Sequence, residues 1–157
     1  MDKAVKGGIV FGLTTGIITT LGLIVGLNSG THSQIAIIGG ILTIAIGGAF
    51  SDSLGIQLSE ESENMRKRYI RESAISTFFS QLFFSLTFVI PVLIFRLQTA
   101  IIVSVIWGLS WIGVFSYLIA KQRKSKPLKI IVQHLLIAVV VIFLTHYIGY
   151  WISKVLV

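Results

Sequence analysis

One carboxylate lies inside an apolar stretch of the sequence. Asp52 stands in the segment AIGGAFSDSLGIQL, with apolar residues on both sides. An ionisable side chain within a membrane helix costs about 2.5–3.5 kcal/mol to insert and marks a functional site by default. On one continuous helix, Glu63 lies about 20° and Glu60 about 80° from Asp52. Carboxylate oxygens suit divalent cations, so the sequence predicts a cation-binding stripe of these three acids together with Ser59. Alternatively, Asp52 caps a broken helix or pairs with an arginine, and the glutamates are simply solvated.

Threonine hydroxyls form a second polar cluster, in the first apolar stretch. Thr15 and Thr19 are one helical turn apart. One interpretation is a hydroxyl-lined surface that faces Asp52 and supplies auxiliary oxygen ligands. The other is that each hydroxyl bonds the carbonyl four residues earlier in its own helix, as threonine often does in membrane helices. The sequence leaves both interpretations open.

Other chemistry has no visible basis in the sequence. There is no cysteine, which excludes disulfides and thiolate metal sites. No phosphate-cradling glycine loop, nucleophile elbow or His-x-x-x-His pair is present. We therefore expect no enzyme activity and no tightly bound cofactor. The net charge of +7 does not indicate nucleic acid, because basic cytoplasmic loops are typical of membrane proteins.

The elements that position these residues are five long apolar segments. Of the 157 residues, 54% are apolar and 12% are charged, and the mean hydropathy is +0.90, whereas soluble domains use about a quarter of their residues for charge. Backbone groups in hydrocarbon must be satisfied within the segment, so each segment is predicted to be a helix. The predicted fold is an all-α integral membrane protein, one transmembrane domain over residues 1–157. Its five transmembrane helices span residues 7–27, 34–58, 74–95, 99–120 and 130–155.

Basic residues predict the orientation. Eleven of the 13 Lys and Arg residues lie on one side if the N-terminus is cytoplasmic and the C-terminus is outside, as the positive-inside rule requires. We expect a multi-pass protein in the cell membrane of a prokaryote. The second helix is predicted to continue into the cytoplasm as far as Ile70, because Gln57–Ile70 contains neither Pro nor Gly. Pro91 predicts a kink late in the third span.

Small residues spaced four apart predict close helix contacts. The glycines assigned to helix packing are Gly8, Gly12, Gly16, Gly22, Gly26, Gly47 and Gly55. The face that carries the first three is predicted to lie near the two-fold axis of a homodimer, the commonest oligomer.

Two motifs resemble the vacuolar iron transporter family of iron and manganese carriers. The first is Gly16-Ile17-Ile18-Thr19-Thr20-Leu21-Gly22-Leu23, and the second is Gly48-Ala49-Phe50-Ser51 with Gly55 and Ser59. The ending THYIGYWI is similar to the last span of that family. The resemblance implies a five-span fold with the N-terminus inside, a homodimer, and a cation path between the first and second helices.

The chain departs from that family at its metal ligands. The metal-binding aspartate of the family's first span falls on Thr15, its second-span methionine on Asp52 and the following glutamate on Ile56. The long cytoplasmic metal-binding helices between spans two and three are missing. One hypothesis is a proton-coupled carrier of Fe²⁺ or Mn²⁺, with Asp52 as ligand and Glu60 and Glu63 at the cytoplasmic entrance. The other is a non-transporting dimeric scaffold or regulatory protein.

Overall fold

The computed structural model describes residues 2–122 and 126–155, which are helical apart from short turns. Arg123 and Lys124 are two of the eleven basic residues that were assigned to the cytoplasmic side, and they lie outside the described residues. The helices are α1 (Lys3–Thr31), α2 (Gln34–Ser62), α3 (Lys67–Thr87), α4 (Val89–Ile94), α5 (Leu97–Gln122) and α6 (Pro127–Val155). With α3 and α4 taken together, five helical segments are long and apolar enough to cross a membrane. The predicted fold class is confirmed.

Most helices extend beyond the spans that hydropathy predicts. The first runs from Lys3 to Thr31, and the second continues to Ser62. Apolar composition marks only the part of a helix that suits hydrocarbon, whereas the backbone hydrogen bonds continue into polar residues at the interface. The predicted boundaries are therefore those of the apolar segment and not of the helix.

The second helix does not continue to Ile70. It ends at Ser62, and Asn64 adopts a left-handed conformation with φ 55°. The amide of Met65 donates to the carbonyl of Glu60 at 3.1 Å, a bond that closes helix ends in the Schellman motif. The predicted extension was wrong because asparagine tolerates this conformation almost as well as glycine and can end a helix in the same way.

The third span is interrupted one turn before Pro91. Helix α3 ends at Thr87, and α4 begins at Val89 after the buried Phe88. Proline lacks an amide hydrogen, and its ring displaces the carbonyl four residues earlier, here that of Thr87. The Thr87 hydroxyl donates to the carbonyl of Phe84 at 2.6 Å. The interruption lies where the sequence predicts a kink.

The described chain divides into two compact units. The first comprises Met1–Thr20 and Gly39–Val89 and so contains the first part of α1, most of α2 and all of α3. Within it, α2 meets α3 through the hydroxyl of Ser53, which donates to the carbonyl of Ala74 at 2.9 Å. Serine side chains that bond a neighbouring backbone are a common means of helix association in membranes.

Helices α1 and α3 run parallel in the first unit, and glycines make their contact close. A Cβ placed on Gly12 would collide with the carbonyl oxygen of Thr77. At Gly16 it would lie 3.1 Å from the carbonyl oxygen of Gln81. The hydroxyl of Ser80 donates to the carbonyl of Ile9 at 2.8 Å. Only a residue without a side chain allows two helix backbones to approach this closely.

The second unit comprises Leu21–Ile38 and Ile90–Val157. Here the second half of α1 packs on α6, and a Cβ on Gly22 would lie 3.0 Å from Val141. Two histidines of α6 each share a hydrogen bond with a serine of another helix. These pairs are Ser29 with His146 at 2.6 Å and Ser116 with His134 at 2.7 Å.

Large apolar side chains cover the outside of α6. Leu136, Phe143 and Trp151 are each about 60% exposed. A continuous apolar surface of this kind is unfavourable in water and favourable in hydrocarbon. Together with the five apolar helices, it indicates a multi-pass membrane protein.

Candidate cation site

Asp52 lies at the border between the buried and exposed sides of α2. On the helix, Ala45 is about 20° to one side of it and Gly55 about 60° to the other. Ala45 is fully buried and Gly55 is exposed, and Asp52 itself is half-buried. Its carboxylate makes no hydrogen bond or ion pair with the described residues. Neither the predicted cap nor the predicted arginine pair occurs among them.

The predicted stripe of three acids is divided by the end of α2. Glu60 lies on the helix about 20° from the fully buried Ala49. Its Oε2 atom is buried and has no hydrogen-bond partner. Glu63 lies beyond the last residue of α2, in an exposed turn. The expected position of Glu63, about 20° from Asp52, required α2 to continue past Ser62. The left-handed conformation of Asn64 ends the helix instead.

The first-span threonines bond their own helix. The Thr15 hydroxyl donates to the carbonyl of Phe11 at 3.0 Å or of Gly12 at 3.2 Å. The Thr19 hydroxyl donates to the carbonyl of Thr15 at 2.6 Å and is exposed. These bonds follow the second of the two sequence interpretations. Each hydroxyl oxygen keeps lone pairs that can accept a bond or contact a cation.

The glycines assigned to packing fall into two groups. Gly8, Gly12 and Gly16 lie against α3, and Gly22 and Gly26 against α6. Gly47 and Gly55 have nothing within 4 Å of a Cβ placed on them. The face of α1 that was predicted to meet a second copy is therefore covered by α3 of the same chain.

A buried polar face on α3 was missed at the sequence level. Its members share one side of the helix and are at most 8% exposed: Ser73, Thr77, Ser80, Gln81 and Ser85. Their spacing of three and four residues within an otherwise apolar span was the available signal. In a membrane helix, hydroxyl and amide side chains on one side indicate the side that contacts other helices.

Gln81 is the largest polar side chain in this face. It is 1% exposed and lies between two glycines on different helices. A Cβ on Gly16 would lie 3.2 Å from its Cγ atom, and a Cβ on Gly48 would lie 2.5 Å from its Nε2 atom. Its Oε1 atom and the Oγ1 atom of Thr77, one turn away, are both buried without a hydrogen-bond partner. Such oxygens are costly in a buried site unless a donor or cation satisfies them.

The first unit therefore offers an oxygen-only set of ligands. It contains the carboxylates of Asp52 and Glu60 and the neutral oxygens of Thr77 and Gln81. No group of three or more His, Asp or Glu side chains within residues 2–122 and 126–155 is arranged to hold a metal ion. Oxygen ligands of this kind suit hard divalent ions, but Glu60 lies about 12 Å along α2 from Asp52, so the four oxygens do not form one site.

Comparisons with known proteins assign no family. No protein-family model matches the chain, and no curated protein gives a significant match.

Proposed function

We propose that this chain is a membrane transporter of divalent metal cations of the iron or manganese class, coupled to proton movement. Asp52 serves as the intramembrane ligand, and Glu60 binds the ion near the cytoplasmic entrance. Glu63 adds only negative charge there, since it is exposed in the turn after α2. The choice of iron or manganese rests on the resemblance of the motifs at Gly16–Leu23 and Gly48–Ser51 to the vacuolar iron transporters.

The observation that carries the proposal is the buried Oε2 atom of Glu60. Glu60 is half-buried, and this oxygen has no hydrogen-bond partner among the described residues, so it is free to bind a cation. Thr77 and Gln81 add two more buried oxygens that lack a partner.

The proposal includes a homodimer, formed through α2 rather than α1. Gly39, Gly47 and Gly55 are exposed and have open space at the Cβ position. A contact centred on Gly47 would leave the Asp52 side chains outside it, because Asp52 lies about 140° from Gly47 on the helix.

The orientation belongs to the proposal as well. The N-terminus is cytoplasmic because eleven of the 13 Lys and Arg residues then share the inner side. We expect the protein in the cell membrane of a prokaryote.

A non-transporting scaffold or regulatory protein is the second candidate. It is favoured by Thr15 and Thr19, whose hydroxyl protons are donated to their own helix. The threonine that replaces the family's first-span aspartate favours it too. In this case the glycine contacts of α1 would support only the fold.

Calorimetric titration of Mn²⁺ into the purified protein separates the two candidates. We expect the wild type to bind Mn²⁺. Asp52→Asn and Glu60→Gln should each weaken binding at least about tenfold, which is about 1.4 kcal/mol, because each removes a charged ligand and keeps the side-chain volume. Glu61→Gln is the matched control, since Glu61 is exposed and its Oε1 accepts from Gln57 at 3.0 Å.

Two results would refute the carrier. One is the absence of Mn²⁺ binding to the wild type. The other is an equal loss in Glu61→Gln and Glu60→Gln, which would indicate only a general attraction of cations to an acidic surface.

A further inference from the structure

A cavity of about 410 Å³ lies between α2 and α3 in the first unit. It lies where α2 ends and α3 begins, and its lining includes Gln57, Glu61, Lys67, Ile70, Arg71 and Ile75. The proposed cation ligands do not line it. Its chemistry can therefore be considered independently of metal transport.

Two basic side chains in the cavity wall form no ion pair with a described residue. They are Lys67 and Arg71, which are one turn apart on α3. Arg68, which does not line the cavity, is paired with Glu72 at 2.7 Å. Like charges one turn apart repel each other, and positive side chains are unfavourable at the positive N-terminal end of a helix. A bound anion would relieve both effects.

The acid in the same wall does not neutralise them. Glu61 accepts a hydrogen bond from Gln57 at 3.0 Å. It lies more than 4.0 Å from the charged groups of Lys67 and Arg71, since neither forms a salt bridge with it.

Apolar side chains line the cavity as well. Ile70 is 7% exposed and forms part of the core, whereas Ile75 is 51% exposed on the outside of the helix. The charged residues of α3 precede Ala74, where the apolar part of the span begins. The lining therefore joins basic side chains to apolar ones at the point where the apolar part of α3 begins. An amphiphile with an anionic head group has this same distribution of charge.

We propose that this cavity binds the phosphate group of an anionic phospholipid. Lys67 and Arg71 contact the phosphate oxygens, and Ile75 lies against the acyl chain. Basic side chains beside a membrane helix attract anionic lipids through such contacts, and Arg presents two parallel donors to a phosphate. Free inorganic phosphate shares the head-group chemistry and lacks the acyl chain.

The test is lipid binding by the full chain in detergent, measured by native mass spectrometry with phosphatidylglycerol and with phosphatidylcholine. The double variant Lys67→Gln/Arg71→Gln should lose about tenfold or more in affinity for phosphatidylglycerol, because two contacts to the phosphate are removed. The matched control is Arg66→Gln/Arg68→Gln, which removes the same charge from exposed positions outside the cavity. The control should change affinity less than about threefold. The single variants Lys67→Gln and Arg71→Gln should each give an intermediate loss.

Selective loss in the cavity variant supports the site. Equal loss in both double variants, or no preference of the wild type for phosphatidylglycerol over phosphatidylcholine, overturns it in favour of diffuse attraction. If millimolar inorganic phosphate displaces the lipid completely, Lys67 and Arg71 do contact a phosphate group. The acyl chain would then contribute nothing, and the lipid would be refuted as the occupant. Circular dichroism of each variant shows whether the helices are intact, so a folding defect is recognised separately.

Discussion

Helices α1 and α2 both carry glycines at multiples of four residues, and the two sets have opposite surroundings. In α1, a Cβ on Gly8 or Gly12 would collide with the backbone of α3. In α2, Gly39, Gly47 and Gly55 have nothing within 4 Å. One set of glycines allows two helices of the same chain to touch, and the other has open space around it, between exposed large side chains such as Ile46, Phe50 and Leu54.

The difference arises from the partner helix and not from the glycines. Helix α3 presents Ser80 and Ser85, whose hydroxyls donate to carbonyls of α1 at 2.8 and 3.3 Å. These bonds form only if the α1 side chains between the helices are absent. The α2 glycines have no such helix beside them in the described chain, and they remain available for a second copy. Glycine spacing alone thus predicts a close contact without identifying the partner.

The largest effect is expected at Gly12. Gly12→Leu places a side chain where the carbonyl of Thr77 lies, and a backbone carbonyl cannot move aside as a flexible side chain can. We expect the first unit to lose its packing, at a cost beyond the roughly 1–3 kcal/mol that is typical of overpacked cores. Thermal unfolding in detergent, followed by circular dichroism, measures the loss.

Gly7→Leu is the matched control for that variant, because Gly7 is exposed on the same helix and has nothing within 4 Å. It should unfold at nearly the wild-type temperature. If Gly12→Leu stays folded and only changes from dimer to monomer, then the contact between α1 and α3 is wrong and α1 forms the dimer interface.

A smaller effect on a different property is expected at Gly47. Gly47→Leu should leave the unfolding temperature within about 2 °C of the wild type, since such a surface change costs at most about 0.5 kcal/mol. It should weaken the proposed dimer at least about tenfold, or about 1.4 kcal/mol, because the helices can no longer touch. Light scattering after size-exclusion chromatography at several concentrations gives the mass of the complex.

Gly113→Leu serves as the control for the dimer, since Gly113 lies in α5 and also has open space at its Cβ position. An unchanged dimer in Gly47→Leu, or an equal loss in Gly113→Leu, would show that the α2 glycines do not form the interface.

Hydropathy was sufficient to predict the five spans. Each apolar segment must satisfy its own backbone in hydrocarbon, so composition determines the helix. The ends of the helices depend on local bonds instead. The end of α2 required recognition of Asn64 as a residue that adopts φ 55°, and a rule based on Gly and Pro alone missed it.

The polar interior was only partly predictable. Asp52 was identified because a charge in an apolar segment is conspicuous. Gln81 was missed because a single amide among phenylalanines has no charge to mark it, although the surrounding serines show its side of the helix. The exposure of Gly47 could not be predicted either, because it depends on which helices surround α2 in three dimensions.

Mn²⁺ uptake into proteoliposomes tests cation transport by this chain most directly. We expect the wild type to carry Mn²⁺ inward down an imposed gradient, and Asp52→Asn to reduce the initial rate at least about tenfold by removing the intramembrane charge. Glu61→Gln should retain the wild-type rate. Uptake by Asp52→Asn at the wild-type rate, or a wild-type rate no higher than that of empty liposomes, would contradict the carrier and leave the scaffold.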